Sequence, residues 1–225
     1  MVEVQEIAKS YGKKSILSGV SFSAERGQCI GILGANGSGK STLLAILAGM
    51  LGADAGKIRY NNEEALGNKK IFSKYTGYVP QDNPLIPELT VKDNLRLWYS
   101  QSGKSVKEGI KSGSLTQFGL DEHLRMPVKK LSGGMKKRLS LACALVNIPK
   151  VLILDEPSVA LDLVYKREIH EFIKGYAAES GIVIITTHDE TDLQLCDKIY
   201  LMKNGALVEI PADIGVDKLV QEIKL

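Results

Sequence analysis

Paired cysteines, a long apolar run and a strong charge of one sign are all missing from this sequence, and each absence narrows the reading. Only three cysteines occur in 225 residues, at 29, 143 and 196. None falls in a Cys-x-x-Cys pair or near histidines at zinc spacing, which argues against a disulfide framework or a zinc site. They read as reduced, small apolar core residues of a cytosolic protein. No stretch approaches the roughly 18 consecutive apolar residues of a membrane span. The opening MVEVQEIAKSYG carries acids and no apolar run, so no signal peptide is expected. A net charge of +3, with basic residues spread along the chain, is too small to argue for a polyanion groove, and no nucleic-acid partner is expected. What remains, 44% apolar and 24% charged residues, is an ordinary globular balance, with enough chain for one domain carrying an inserted lobe.

The apolar pattern then sorts the chain. Residues 2–8 and 16–23 read as strands, and QCIGIL at 28–33, bounded by Gly27 and Gly34, reads as a buried one. STLLAILAGM from Ser41 is apolar nearly all round and stops at Gly49 and Gly52, as a helix buried against a sheet would. Between Gln81 and about Val146 the spacing turns helical (Val91, Leu95, Trp98), which predicts an inserted helical lobe at about 82–146 within a core of 1–81 and 147–225. VLILD at 151–155 and IVIITT at 182–187 lack polar alternation, as central parallel strands covered on both faces do. A helix is expected between them from about Tyr165 to Glu179. Asn204 and Gly205 predict a hairpin. Val216, Leu219, Val220 and Ile223 predict a terminal docking helix.

Strand, glycine loop, helix is the opening of an α/β nucleotide-binding fold. GANGSGKS at 34–41 fits G-x-x-x-x-G-K-[ST] in full. Gly34, Gly37 and Gly39, with Asn36 and Ser38 between them, let backbone N–H groups turn in around phosphate oxygens. Lys40 would reach the β- and γ-phosphates and the Ser41 hydroxyl would hold Mg²⁺. Asp155 closes an apolar strand at the sheet edge where such folds bind ligands, suited to the Mg²⁺ shell. Glu156, next along, is free to act as general base; the bland alternative is an acidic helix-capping pair ahead of Pro157. His188 emerges at the same edge and is read as contacting the γ-phosphate, whereas His123 and His170 read as satisfied polar residues.

A second glycine-rich helix start, LSGGMKKR at 131–138, poses a problem, because three positive charges oppose the helix dipole. Ser132 can cap, and Gly133 and Gly134 leave the first N–H groups open, which makes it a second anion site; a basic surface turn is the other reading. With two helix ends for phosphate and one lysine-bearing loop, the two ends would belong to different copies if both serve one nucleotide.

Taken together, these motifs resemble the nucleotide-binding subunit of an ATP-binding cassette (ABC) transporter across essentially residues 2–210. The resemblance implies a P-loop fold with a RecA-like parallel core, an N-terminal antiparallel β subdomain and an inserted helical lobe. It implies that Tyr11 stacks on adenine, that the loop through Thr42 binds ATP, and that Gln81 senses Mg²⁺ and the γ-phosphate. By the same likeness LSGGM is the signature loop, Asp162 ends the loop that meets the partner, and His188 is the switch histidine. Two subunits would dimerise head to tail, each ATP lying between the phosphate loop of one and the signature loop of the other, on the cytoplasmic face of the membrane beside integral membrane subunits. Met135, where glutamine is usual, resembles the drug, antibiotic and lipid exporter branch. Val159 stands where a small hydroxyl residue is commoner. A soluble ABC ATPase acting on ribosomes or DNA, or a nucleotide-dependent interaction module, is the alternative.

Overall fold

A computed structural model describes residues 1–103, 105–111, 115–159 and 161–211. The helix expected at residues 216–223 lies outside the described residues.

Two sheets carry the fold. β1 (Val2–Tyr11), β2 (Lys14–Ala24), β4 (Ala55–Tyr60) and the short β5 (Glu63–Glu64) form an antiparallel sheet in the order β2-β1-β4-β5. The second sheet has the order β10-β9-β3-β8-β7-β6. Its parallel members are β3 (Cys29–Leu33), β6 (Thr76–Val79), β7 (Val151–Asp155), β8 (Ile182–Thr186) and β9 (Lys198–Lys203), and β10 (Ala206–Ile210) adds an antiparallel edge. Asn204 and Gly205 both adopt positive φ in the β9–β10 turn, the conformation a tight hairpin demands.

α1 (Lys40–Leu47) lies in the core shared by the two sheets, where Leu43, Leu44, Ile46 and Leu47 are fully buried. Alternate residues of the parallel strands face opposite cores. Ile30, Ile32, Ile153 and Ile184 join α1 and the antiparallel sheet, while Leu152, Leu154, Val183 and Ile185 face the helical side. That two-sided burial is why these strands read as unbroken aliphatic runs. The helical side holds α3 (Val91–Ser102), α4 (Val106–Lys111), α5 (Gly133–Ala144) and α6 (Leu163–Ala178). Two short helices, α2 (Lys69–Tyr75) and α7 (Glu190–Leu193), complete the set among the described residues, together with single 3-10 turns. Among the described residues, no helix is long and apolar enough to cross a membrane.

Strand register positions the site. Ile32 pairs with Thr186, Thr186 with Asp155, and Leu154 with Val79. The next residues of four strands, the glycine loop, Thr187, Glu156 and Pro80, therefore leave the sheet at one carboxyl edge, where open α/β sheets bind ligands.

Candidate functional site

At that edge Asn36, Gly37, Gly39, Lys40, Ser41, Thr42, Gln81, Glu156 and His188 line one concavity of about 460 Å³, closed on one side by Ile16. Ser38 lines an adjoining one of about 470 Å³ with Lys14, Lys203 and Asn204. Its Oγ is buried and has no hydrogen-bond partner among the described residues.

α1 starts at Gly39, whose φ of 109° only glycine adopts without strain and which offers no side-chain cap. The first N–H groups of the helix are thus left for something outside the chain. Lys40 is buried and folds back over the loop, its Nζ donating to the carbonyls of Gly34 (2.7 Å) and Ala35 (3.1 Å). Burial holds this ammonium below the ordinary lysine range, and Glu156 and Asp155 partly restore it. Gly34 itself is buried beneath the loop.

Glu156 has a φ of 48°, an unusual conformation for a residue with a side chain. Its N–H donates to both the carbonyl and the hydroxyl of Thr186 (3.1 Å each), which holds the backbone there. Such strain, of about 1–3 kcal/mol, persists where the surroundings over-determine it and clusters at functional sites. The Glu156 carboxylate accepts from Gln81 Nε2 at 3.0 Å and faces His188 Nε2 at 3.4 Å. Burial and then the Lys40 charge press the His188 imidazole below its ordinary range, with Glu156 opposing, so the ring is neutral at neutral pH. Asp155 is buried, its Oδ1 accepting from Thr186 Oγ1 at 2.5 Å.

The remaining expected residues lie apart from this concavity. Tyr11 is 53% exposed at the β1–β2 turn, with Lys9 Nζ 5.8 Å from its ring centroid. Asp162 caps α6, one carboxylate oxygen accepting from the N–H groups of Val164 and Tyr165 at 3.0 Å. Ser132 caps α5 through Met135 N at 3.2 Å, and Ser132 and Gly133 are exposed. Gly134 is buried because the Tyr165 ring packs on its backbone: a Cβ there would stand 2.5 Å from Tyr165 Cγ. The three bases that follow part company. Lys136 is half-buried, Lys137 is buried, and Arg138 pairs with Glu168 and lies over the Tyr165 ring, 4.7 Å from its centroid. A basic surface turn is therefore not what this segment forms.

Sequence reasoning missed Thr186 and Asp192. Thr186 is the hydroxyl interrupting an aliphatic run at its last strand residue, a signal that was there to read. Asp192 is almost fully buried and accepts from Ser158 Oγ and Thr187 Oγ1, both at 2.5 Å, and contacts His170 Nε2 at 2.6 Å. It ties the loop after Glu156 to the residue before His188, and no spacing rule marks it. His170 has the partner expected of a satisfied histidine. Cys29 and Cys143 are buried and Cys196 half-buried, all three free, with Cys29 and Cys196 Sγ atoms 3.9 Å apart despite their separation in sequence.

A family model described as "ABC transporter" matches residues 17–159. The Nod factor export ATP-binding protein I of Rhizobium etli is 34% identical over 224 residues, covering 97% of this chain and 71% of that protein. The linearmycin resistance ATP-binding protein LnrL of Bacillus subtilis is 35% identical over 235 residues, covering 98% of this chain and 74% of that one. Among solved structures, an ATP-binding subunit of an ABC transporter superposes with a TM-score of 0.85 at 26% identity, covering all of both chains. A dimeric ATP-binding cassette in a post-hydrolysis state bound to ADP and Pi superposes with a TM-score of 0.84 at 26% identity, covering 96% of this chain and 100% of that one.

Proposed function

Because the chain belongs to the ABC transporter family, we propose that it is the ATP-binding and ATP-hydrolysing subunit of an exporter, working as a head-to-tail dimer. The observation that carries this reading is the convergence of an uncapped glycine-rich helix start, a buried lysine, and the Gln81, Glu156 and His188 side chains on one concavity.

The donor set fits a nucleotide triphosphate with Mg²⁺. Among the described residues, the α1 N–H groups, the Lys40 ammonium and the buried, unpartnered Ser38 hydroxyl are donors with no carboxylate bonded to them. Ser41, Gln81 and Asp155 offer oxygen ligands, few in number, as suits a cation held largely by phosphate and water. Bound there, Mg²⁺ would neutralise charge spreading over the phosphate oxygens. Glu156 orients the attacking water and accepts its proton, and the neutral His188 is placed to donate toward the γ-phosphate. Lys40, released from the Gly34 and Ala35 carbonyls, contributes positive charge to the transferring group. Tyr11, exposed and with no ring stacked on it among the described residues, is the adenine platform.

The α5 start supplies the second set of N–H groups. Ser132 and Gly133 are exposed and, among the described residues, the cavity beside the α5 start is lined by no catalytic side chain, so they complete the site of another copy, with the exposed Val159, Leu163 and Val164 around Asp162 at the contact. The chain lies on the cytoplasmic face of the membrane, bound to integral membrane subunits; Ile86, 43% exposed close to Gln81, suits an apolar contact with them. Direction is carried by Met135 and by the export and resistance proteins that the chain is similar to.

The test is Glu156→Gln in the full chain. Turnover of MgATP should fall by about a hundredfold or more while ATP now stabilises a dimer seen by size-exclusion chromatography. A variant that stays monomeric at saturating MgATP and turns over normally contradicts the reading.

A further inference from the structure

Two of the three thiols meet. Cys29 opens β3 and Cys196 follows α7, and their Sγ atoms stand 3.9 Å apart across a sequence separation of 167 residues. The backbone fixes this approach. The Cys29 N–H donates to Asp197 Oδ2 at 2.7 Å, and the Asp197 N–H donates to the Cys29 carbonyl at 2.8 Å, so the residue next to Cys196 is laced to β3 at both groups. The β3–β9 ladder then continues with Ile30 beside Lys198. Gly31 makes the room: a Cβ there would stand 2.8 Å from Cys196 Sγ, closer than a side chain tolerates, so the Cys196 sulfur occupies the space that this glycine leaves over β3.

A disulfide holds its sulfurs about 2.05 Å apart, so closing the pair takes a movement of roughly 2 Å, within the reach of side-chain rotation. Little opposes it. Cys196 Sγ donates to the Asp192 carbonyl at 3.6 Å, and that carbonyl also accepts the Leu195 N–H at 3.0 Å, so losing the thiol hydrogen leaves the acceptor paired. Exposure separates the two roles. Cys196 is half-buried and is the thiol that a small oxidant reaches from solvent. Cys29 is buried, and its hydrogen bond to Cys196 and then burial hold its thiol above the ordinary range, which suits the second step and not the first. Cys143, on α5, is buried, and burial pushes its thiol up as well.

We propose that Cys29 and Cys196 form a modification site at which a peroxide installs a disulfide that staples β3 to the segment entering β9 and stabilises the fold. In the first step the Cys196 sulfur attacks a peroxide oxygen, the O–O bond breaks, and a sulfenic acid and water result. In the second the Cys29 sulfur attacks the sulfenic sulfur, the S–O bond breaks, and the hydroxyl leaves as water with the Cys29 proton. Two thiols are oxidised and one hydrogen peroxide is reduced to two waters. The closed loop contains α1, the helical lobe, β7 and β8, so the bond restrains most of the unfolded chain. Nothing in this rests on the roles assigned to Glu156 or to the α5 start.

The test treats the reduced full chain with hydrogen peroxide, unfolds it in a thiol-alkylating reagent and maps the peptides by mass spectrometry. The peptides of Cys29 and Cys196 should be joined within one chain, Cys143 should be alkylated, and dithiothreitol should reverse the link. The joined chain should melt about 5 °C or more above the reduced one. Cys196→Ser, or Cys196→Ala should the serine variant not fold, loses both the joined peptide and the rise; Cys143→Ser keeps both. The proposal is overturned if Cys29 remains alkylated after the treatment, whether or not Cys196 has gone on to a sulfinic acid. It is overturned equally if the link involves Cys143 or a second chain, or if the joined chain melts no higher than the reduced one.

Discussion

Two helices of this chain begin with glycines, and they begin differently. α1 starts at a left-handed Gly39 with no side-chain cap, and its N–H groups open onto Gln81, Glu156 and His188. α5 starts at Ser132, whose hydroxyl already takes the Met135 N–H, and the cavity beside it is lined by Arg138, Glu168 and the Tyr165 ring with none of the reacting groups. The first end carries its own lysine and its own carboxylates; the second offers the exposed backbone at Ser132 and Gly133. Glycine-rich helix starts are thus not equivalent anion sites, and their surroundings decide whether one is a whole site or a fragment of one.

Substitutions can break the contrast from either side. The largest effect is expected at α1: Lys40→Ala should lower turnover by about a hundredfold or more and weaken ATP binding by the isolated chain, measured by titration calorimetry. At α5, Gly133→Asp should lower turnover without loss of stability. Its Cβ meets nothing within 4 Å, and a carboxylate in a first helical turn adds about 0.3–1 kcal/mol of stability. The same carboxylate repels a phosphate, so hydrolysis should fall by about tenfold or more while single-chain ATP affinity is unchanged. Smallest is Gly134→Ala, a packing effect: with Tyr165 Cγ at 2.5 Å the ring must shift, costing about 1–3 kcal/mol in chemical denaturation, part of which Tyr165→Leu should return.

The two helix starts also show what the sequence made legible. GANGSGKS stands after a buried strand and before an apolar helix, so its local context agreed with its chemistry at every level. The aliphatic runs at β3, β7 and β8 were equally plain because both faces of each strand are covered. The segment from 55 to 79 was not legible. AGKIRY alternates only in part, α2 spans seven residues, and TGYV is a four-residue edge strand paired with β7 alone, all too short for a period to declare itself. Gln81 was therefore found through the resemblance of its motif, without the strand that delivers it. For KKR the difficulty was of another kind. A run of like charges reads as a solvated face, and only tertiary packing reveals that Lys137 turns inward while Arg138 lies over Tyr165.

The claim that the α5 start serves another copy of the chain is tested most directly by mixing two impaired chains, Lys40→Ala and Gly133→Asp. Each alone lacks one half of every site. In a mixed head-to-tail dimer, Lys40 of the second chain meets Gly133 of the first, so one of two sites is intact. Random pairing should then restore MgATP hydrolysis to as much as about a quarter of the parent rate, rising with total protein concentration. A mixture no more active than its components, at concentrations where the parent chain dimerises on ATP, would contradict the account.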